Sequence, residues 1–296
     1  MSEITEELAS NWYTQLKQAF TGSSGWSSED VLLLQQMEQQ HFEELFKRQE
    51  KYATLLDAFL AFSMQTISEA YKHSPQPSAY RFAFFIASFQ RFRSSYNNYW
   101  DGYYSEAASH LRSLFENLLS YGAVLNDYIT ETDLLELIYT HKVEGMSLKE
   151  YKQFVYRHHA SLAKKVQRKM IGADSGLSEP DQEALKDEIG ILHSHVHRAS
   201  ATQEKIVWDT IQGVQITCLP VMHEGYANKV KSTTIYAAWA FTRILPFIST
   251  PNLFTQDWLK KYRALNESFL EMVDDDASAI DETFSRFIKT KMNFVV

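Results

Sequence analysis

The sequence predicts an all-α protein, an irregular bundle of about ten helices. Ten glycines and six prolines in 296 residues are about 5% of the chain, against roughly 12% in ordinary usage. A sheet protein of this size needs those residues for its turns. Long stretches carry apolar residues at helical spacing instead. Hydrophobic residues make up 45% and aromatics 14%, ample for a core, which excludes wholesale disorder.

A short helix is expected over Glu3 to Phe20, followed by a Ser- and Gly-rich loop, Thr21–Ser28. Ser28 with Glu29 and Asp30 marks the next helix start. No Gly or Pro follows until Pro75. In that span Phe42, Leu45, Phe46, Ala53, Leu56, Leu60, Met64, Ile67 and Tyr71 share one arc of about 100°. Tyr52, Leu55, Phe59 and Phe62 fill a neighbouring arc. A continuous helix from Asp30 to His73 would run about 65 Å. The radius of gyration of a compact chain this long is only about 19 Å, so the helix either bends or projects to a partner. A homodimer is the expected partner arrangement.

His73–Ser78 is the clearest break. It separates an N-terminal arm, residues 1–75, from a helical core, 78–296, unless the two form one array. An aromatic-rich helix is expected from Ala79 to Trp100, ended by Asp101-Gly102, and another from Tyr103 to Tyr128. The latter carries the stripe Leu111, Leu114, Phe115, Leu118, Leu119, Gly122 and Leu125. Helices 42–71, 79–100 and 103–128 are the expected core. Thr130 and Thr132 are candidate caps of a short helix to His141. Ser147 and Glu150 have capping-box spacing and open a helix to Met170. Pro180 suits a helix start, and that helix should reach Arg198. Three to four more follow, punctuated by Pro220, Pro246 and Pro251. No fixed-period repeat is present, which disfavours a solenoid.

Twenty-nine basic and 37 acidic residues give a net charge of −8. This disfavours a general nucleic-acid coat but leaves room for a local phosphate-binding patch. The acidic, polar start is unlike a signal peptide. The apolar stretch Ile235 to Ile248 is interrupted by Thr242, Arg243 and Pro246, so no membrane span is expected. A single cysteine, Cys218, allows no internal disulfide, and a cytoplasmic setting with a reduced thiol is expected.

The phosphate loop, the dinucleotide turn, the nucleophile elbow and His-Glu-x-x-His are all absent. A di-iron bundle needs two Glu-x-x-His pairs; only Glu38-Gln39-Gln40-His41 has that form, in a polar run that reads as a solvated helix face. The densest cluster of chemistry-bearing residues is Glu188 to Arg198, which holds three histidines. On a helix His193 and His197 share a face along the edge of the stripe Leu185, Ile189, Leu192 and Val196, while His195 points elsewhere. Two imidazoles four apart can ligate a metal, but a third ligand must come from another element. Arg112 and Glu116, four apart at the edge of their own stripe, are the candidate facing groups. Together Arg112, Glu116, His193 and His197 form either a structural polar network or a site for an anion, a metal or acid–base chemistry, with His197 as general base. No cofactor is identified by any motif.

The segment Leu111-Arg112-Ser113-Leu114-Phe115-Glu116, followed by a downstream His-bearing helix, resembles uncharacterised bacterial all-helical families over about residues 107–200. More remotely it is similar to the higher-eukaryote and prokaryote nucleotide-binding helical superfamily. Many members of that superfamily are ribonucleases of toxin–antitoxin and phage-defence systems. Their signature is Arg, four to six residues, then His on one helix. No arginine here has His at that spacing; Arg112 meets Asn117, Leu118 and Leu119 there.

From Lys149 to Lys169 the basic residues are Lys149, Lys152, Arg157, Lys164, Lys165, Arg168 and Lys169, with Glu150 the only acid. Tyr151, Phe154 and Tyr156 lie among them. Phosphate or RNA contact is one reading, with cations on the backbone and rings on the bases. The other is a solvated helix whose aromatics face the core, and contact with an acidic face of a partner subunit is a third. The functional expectation is a non-enzymatic helical interaction protein of bacterial type, in defence or regulation. The alternatives are a nuclease or nucleotide-binding enzyme using the Arg/Glu/His cluster, and a metal-binding protein using His193 and His197.

Overall fold

The computed structural model describes residues 28–73, 79–133, 146–196, 224–248, 254–275 and 279–294. Among these residues it is all-helical, with no strand. The helices are α1 (Ser28–Arg48), α2 (Glu50–His73), α3 (Ala79–Trp100), α4 (Tyr104–Leu125), α5 (Leu148–Ile171), α6 (Glu179–Val196), α7 (Glu224–Ile244), α8 (Gln256–Asp275) and α9 (Ala279–Lys291). A 3-10 turn, Leu245–Ile248, continues α7. The expected helices at Glu3–Phe20 and after Thr132 lie outside the described residues.

The expected long helix from Asp30 is divided at Gln49. The Gln49 N–H is shared between the carbonyls of Leu45 and Phe46 at 3.0 and 3.2 Å, and its side chain accepts a hydrogen bond from the Tyr99 hydroxyl at 2.7 Å. The helical hydrogen bonding continues through this point, since the Ala53 N–H reaches the Gln49 carbonyl at 2.9 Å. Phe42 and Phe46 of α1 and Tyr52 of α2 all touch the ring of Trp100, which also meets Tyr96 and Tyr99, so the second half of α1 lies against α3.

Helices α3 and α4 form an antiparallel hairpin. Gly102 takes a left-handed φ of 83°. Tyr103 N–H then reaches Asn98 O and Gly102 N–H reaches Tyr99 O, the two bonds of a Schellman helix end. The same device ends α4 at Leu125, three residues before the expected end. Asp127 is left-handed there, and Tyr128 N–H and Asp127 N–H reach the Ala123 and Val124 carbonyls. The expected stripe of α4 is buried from Leu111 through Gly122. On α2 both arcs contribute: Tyr52, Leu55, Phe59 and Phe62 are buried with Ala53 and Leu56 of the first arc, while Met64 and Tyr71 towards its end are exposed.

The centre of the bundle is α7, whose residues from Thr233 to Thr242 are all buried. It packs against α2, α3, α4, α8 and α9. Phe241 meets Phe59 and Phe85, and Tyr236 stacks on Phe284. The core thus needs α7, α8 and α9 as well as the three aromatic-rich helices expected to form it. Thr233, Thr234 and Thr242 return their hydroxyls to the carbonyls of Lys229, Val230 and Ala238, so these polar groups are satisfied within α7 itself.

Helices α5 and α6 lie outside this shell, on α4. Ser147 and Glu150 complete the expected capping box of α5. Its fully buried side chains, Leu162, Val166, Met170 and Ile171, lie in its second half, while Tyr151, His158 and His159 of the first half are half-buried. Met170 reaches Gly122, where a Cβ would stand 2.8 Å from Met170 Cε. Ser178 caps α6, its hydroxyl accepting from Asp181 N–H and donating to the Asp181 carboxylate. Thr130 caps the helix that begins at residue 131, in a reciprocal pair with Asp133.

Trp100→Ala removes the ring that α1, α2 and α3 share. The expected loss is about 3–5 kcal/mol, as for large core aromatics, read by denaturant unfolding. A loss below about 1 kcal/mol would mean α1 is not held by this hub.

Candidate functional site

Arg112 projects from α4 at the edge of its buried stripe. Its Nη2 donates to Glu116 Oε1 at 2.7 Å and its Nη1 donates to the Ile189 carbonyl of α6 at 3.3 Å. The Arg112 side chain is 16% exposed and that of Glu116 57%. The Nε of Arg112 is buried without a hydrogen-bond partner. The expected Arg112–Glu116 pair is therefore formed, and its arginine also ties α4 to α6.

Position 193 lies on α6, one turn beyond Ile189. The side chains of His193 and His195 lie outside the described residues, as does all of His197. Of the four expected site residues, the structure brings together Arg112 and Glu116. Among the described residues no three His, Cys, Asp or Glu side chains are placed to hold a metal.

Two further ionic links fasten α6. Glu188, with its side chain 4% exposed, pairs with Lys229 of α7 at 2.9 Å. Its signal was its position in the sequence, three residues beyond Leu185 and beside Ile189 in the apolar stripe. Asp181 at the start of α6 is buried and accepts from Arg286 and Thr283 of α9. Arg286, then the Ser178 hydroxyl, hold the Asp181 carboxyl below its ordinary value. Charge pairing across helices usually returns less than it costs in desolvation, and it fixes register more than it adds stability. Glu188 and Asp181 form two such ion pairs on α6, and Arg112 adds a hydrogen bond to its Ile189 carbonyl.

The basic helix differs from the rest. Among the side chains described from 148 to 161, none is buried. Phe154 is 44% exposed, Tyr156 76% and Leu148 61%. The expectation that these aromatics face the core is overturned for Phe154 and Tyr156; Tyr151 is half-buried. The cause is the line of contact. Leu162, Val166 and Met170 are buried on one face, half-buried Tyr151, His158 and His159 continue that face into the first half, and Phe154 and Tyr156 fall outside it on either side. The Phe154 ring lies parallel to that of His158 at 6.2 Å.

The cations of α5 fall into two groups. Arg168 and Lys169 share Asp174 at 3.0 and 3.8 Å. Lys165 faces Asp133, whose carboxyl is held low first by the Thr130 backbone N–H and further by the charge of Lys165. Lys149, Lys152, Arg157 and Lys164 are exposed, and among the described residues no carboxylate pairs with them.

The chain matches no family model, no curated protein and no solved structure.

Arg112→Ala strips the Ile189 carbonyl and Glu116 of their donor. As a structural tie it should cost about 1–3 kcal/mol, a fall of several degrees in the unfolding midpoint at roughly 2–4 °C per kcal/mol. An unchanged midpoint would show that Arg112 is held for another purpose.

Proposed function

We propose that this protein acts by binding, as a non-enzymatic helical interaction protein, and that the outer half of α5 is its working surface. The regulatory or defence setting implied by the family resemblance belongs to the same proposal. The observation that supports it is the concentration of unspent chemistry on one helix. Three of the six large apolar side chains that stand exposed among the described residues, Leu148, Phe154 and Tyr156, lie within nine residues of α5. Unpaired Lys149, Lys152, Arg157 and Lys164 surround them. Monomer surfaces rarely gather large apolar groups and free cations without a partner to cover them.

Catalysis has less support. Arg112 is engaged with a backbone carbonyl and a carboxylate, contacts that a helix–helix tie requires. The chain also lacks the arginine–histidine spacing of the ribonucleases it remotely resembles.

Lysine acetylation footprinting tests the working surface. In a dialysed extract of the cells that make the protein, Lys149, Lys152 and Lys164 should become protected relative to purified protein. Lys260, exposed on α8, should not. Equal labelling of all four in both conditions would contradict the proposal.

A further inference from the structure

We infer that the partner of α5 is a single-stranded nucleic acid, laid along the outward stripe Phe154–Arg157–Ser161–Lys164–Arg168. This deepens the binding reading above and rests on it.

The stripe follows from helical spacing. Its members are separated by three, four, three and four residues, so they share an arc of about 80° at 100° per residue. All five are exposed. The arc lies opposite the docked residues Leu162, Val166 and Met170, so a ligand can reach it without displacing α4. From Phe154 to Arg168 it spans about 21 Å, room for about six nucleotides at the ~3.4 Å rise of a stacked strand.

The chemistry along it is ordered. Phe154 stands at one end as a ring with an open face, its other neighbour being the parallel His158 ring. Arg157 and Lys164 follow without carboxylate partners. Arg168 ends the stripe with its guanidinium on Asp174. Glu150, the only acid from Lys149 to Lys169, is occupied in the helix cap, where it accepts from the Ser147 N–H and hydroxyl. A strand along the stripe would stack a base on Phe154 and set phosphates against Arg157, Lys164 and, in competition with Asp174, Arg168. Stacking on a ring is sequence-tolerant.

Charge favours this occupant. The helix is strongly positive on a chain of −8, so long-range attraction of a polyanion comes from this segment while the remainder repels. A duplex hides its base faces from Phe154. An anionic lipid surface wants its apolar side chains on one face, whereas Tyr156 and Phe154 lie about 160° apart around α5.

Fluorescence anisotropy with a labelled 20-nucleotide single strand of mixed sequence tests this. The wild-type chain should bind, and binding should weaken about 20-fold from 50 to 200 mM salt, the slope for about three phosphate contacts. Arg157→Glu/Lys164→Glu should lower affinity by more than tenfold and flatten the salt dependence. Phe154→Ala should lower affinity about tenfold and leave the salt slope unchanged. Lys260→Glu, exposed on α8 and away from α5, should bind as wild type. These side chains are exposed, and matched circular dichroism melts verify folding. No binding by the wild type would overturn the inference. So would equal or stronger binding to a duplex of the same sequence, or displacement of the strand by phosphatidylserine vesicles. Nuclease treatment of the extract separates this inference from the one it rests on. If the protection of Lys164, the lysine on the stripe, is lost on treatment, the nucleic acid is supported. Protection that survives keeps the binding reading and overturns the nucleic acid, and absence of protection before treatment overturns both.

Discussion

The structure depends on enclosing α7. From Thr233 to Thr242 every side chain of that helix is buried, so no face is left for water and other helices must surround it. A helix apolar on all sides has no stable place at a surface. Helices α2, α3, α4, α8 and α9 supply the shell, and their aromatic rings make the contacts: Phe59, Phe85 and Phe241 meet edge to face. Once α7 is enclosed, α4 has its inner face committed, and its outer face becomes the platform for α5 and α6.

Polar groups are handled differently in the two layers. Inside, the threonine hydroxyls of α7 bond back to their own helix, which satisfies them and adds no cross-link. Outside, α6 is placed by ion pairs to Lys229 of α7 and Arg286 of α9 and by a hydrogen bond from Arg112 of α4 to the Ile189 carbonyl. Such contacts tolerate little displacement and select one register. Helix α5 is held by its second-half apolar stripe, by the Asp174 contacts near its end and by half-buried Tyr151, His158 and His159. Phe154, Tyr156, Arg157 and Lys164 stand exposed beside that docked face.

How much of this was legible depended on whether local chemistry decided it. The stripe of α4, the Ser147 box and the Asp101-Gly102 stop are local, and each stands where the sequence puts it. The contacts at the α1–α2 junction are not local: the Tyr99 hydroxyl bonds the Gln49 side chain and Tyr52 meets the Trp100 ring, about fifty residues away in sequence. On α2 two apolar arcs were readable, but periodicity ranks faces without naming their neighbours, and packing buried Phe59 and Phe62 together with Ala53 and Leu56. Helix α7 carried its signal as a nearly unbroken apolar run, which also resembled a failed membrane segment; no described helix is long and apolar enough to cross a membrane. The pairing of Arg112 with Glu116 followed from spacing alone, whereas its bond to the Ile189 carbonyl required the α4–α6 crossing. The orientation of Phe154 and Tyr156 depended on which face of α5 is docked, which composition does not encode.

Native-state amide hydrogen exchange, resolved along the chain, tests the central claim most directly. If α7 is the enclosed centre and the outer half of α5 is uncovered, amides of residues 233–242 should exchange only through global unfolding. Those of 151–161 should exchange by local opening, orders of magnitude faster, although both segments are helical. Equal protection in the two segments would contradict the account, because it would place α5 within the core that α7 is said to define.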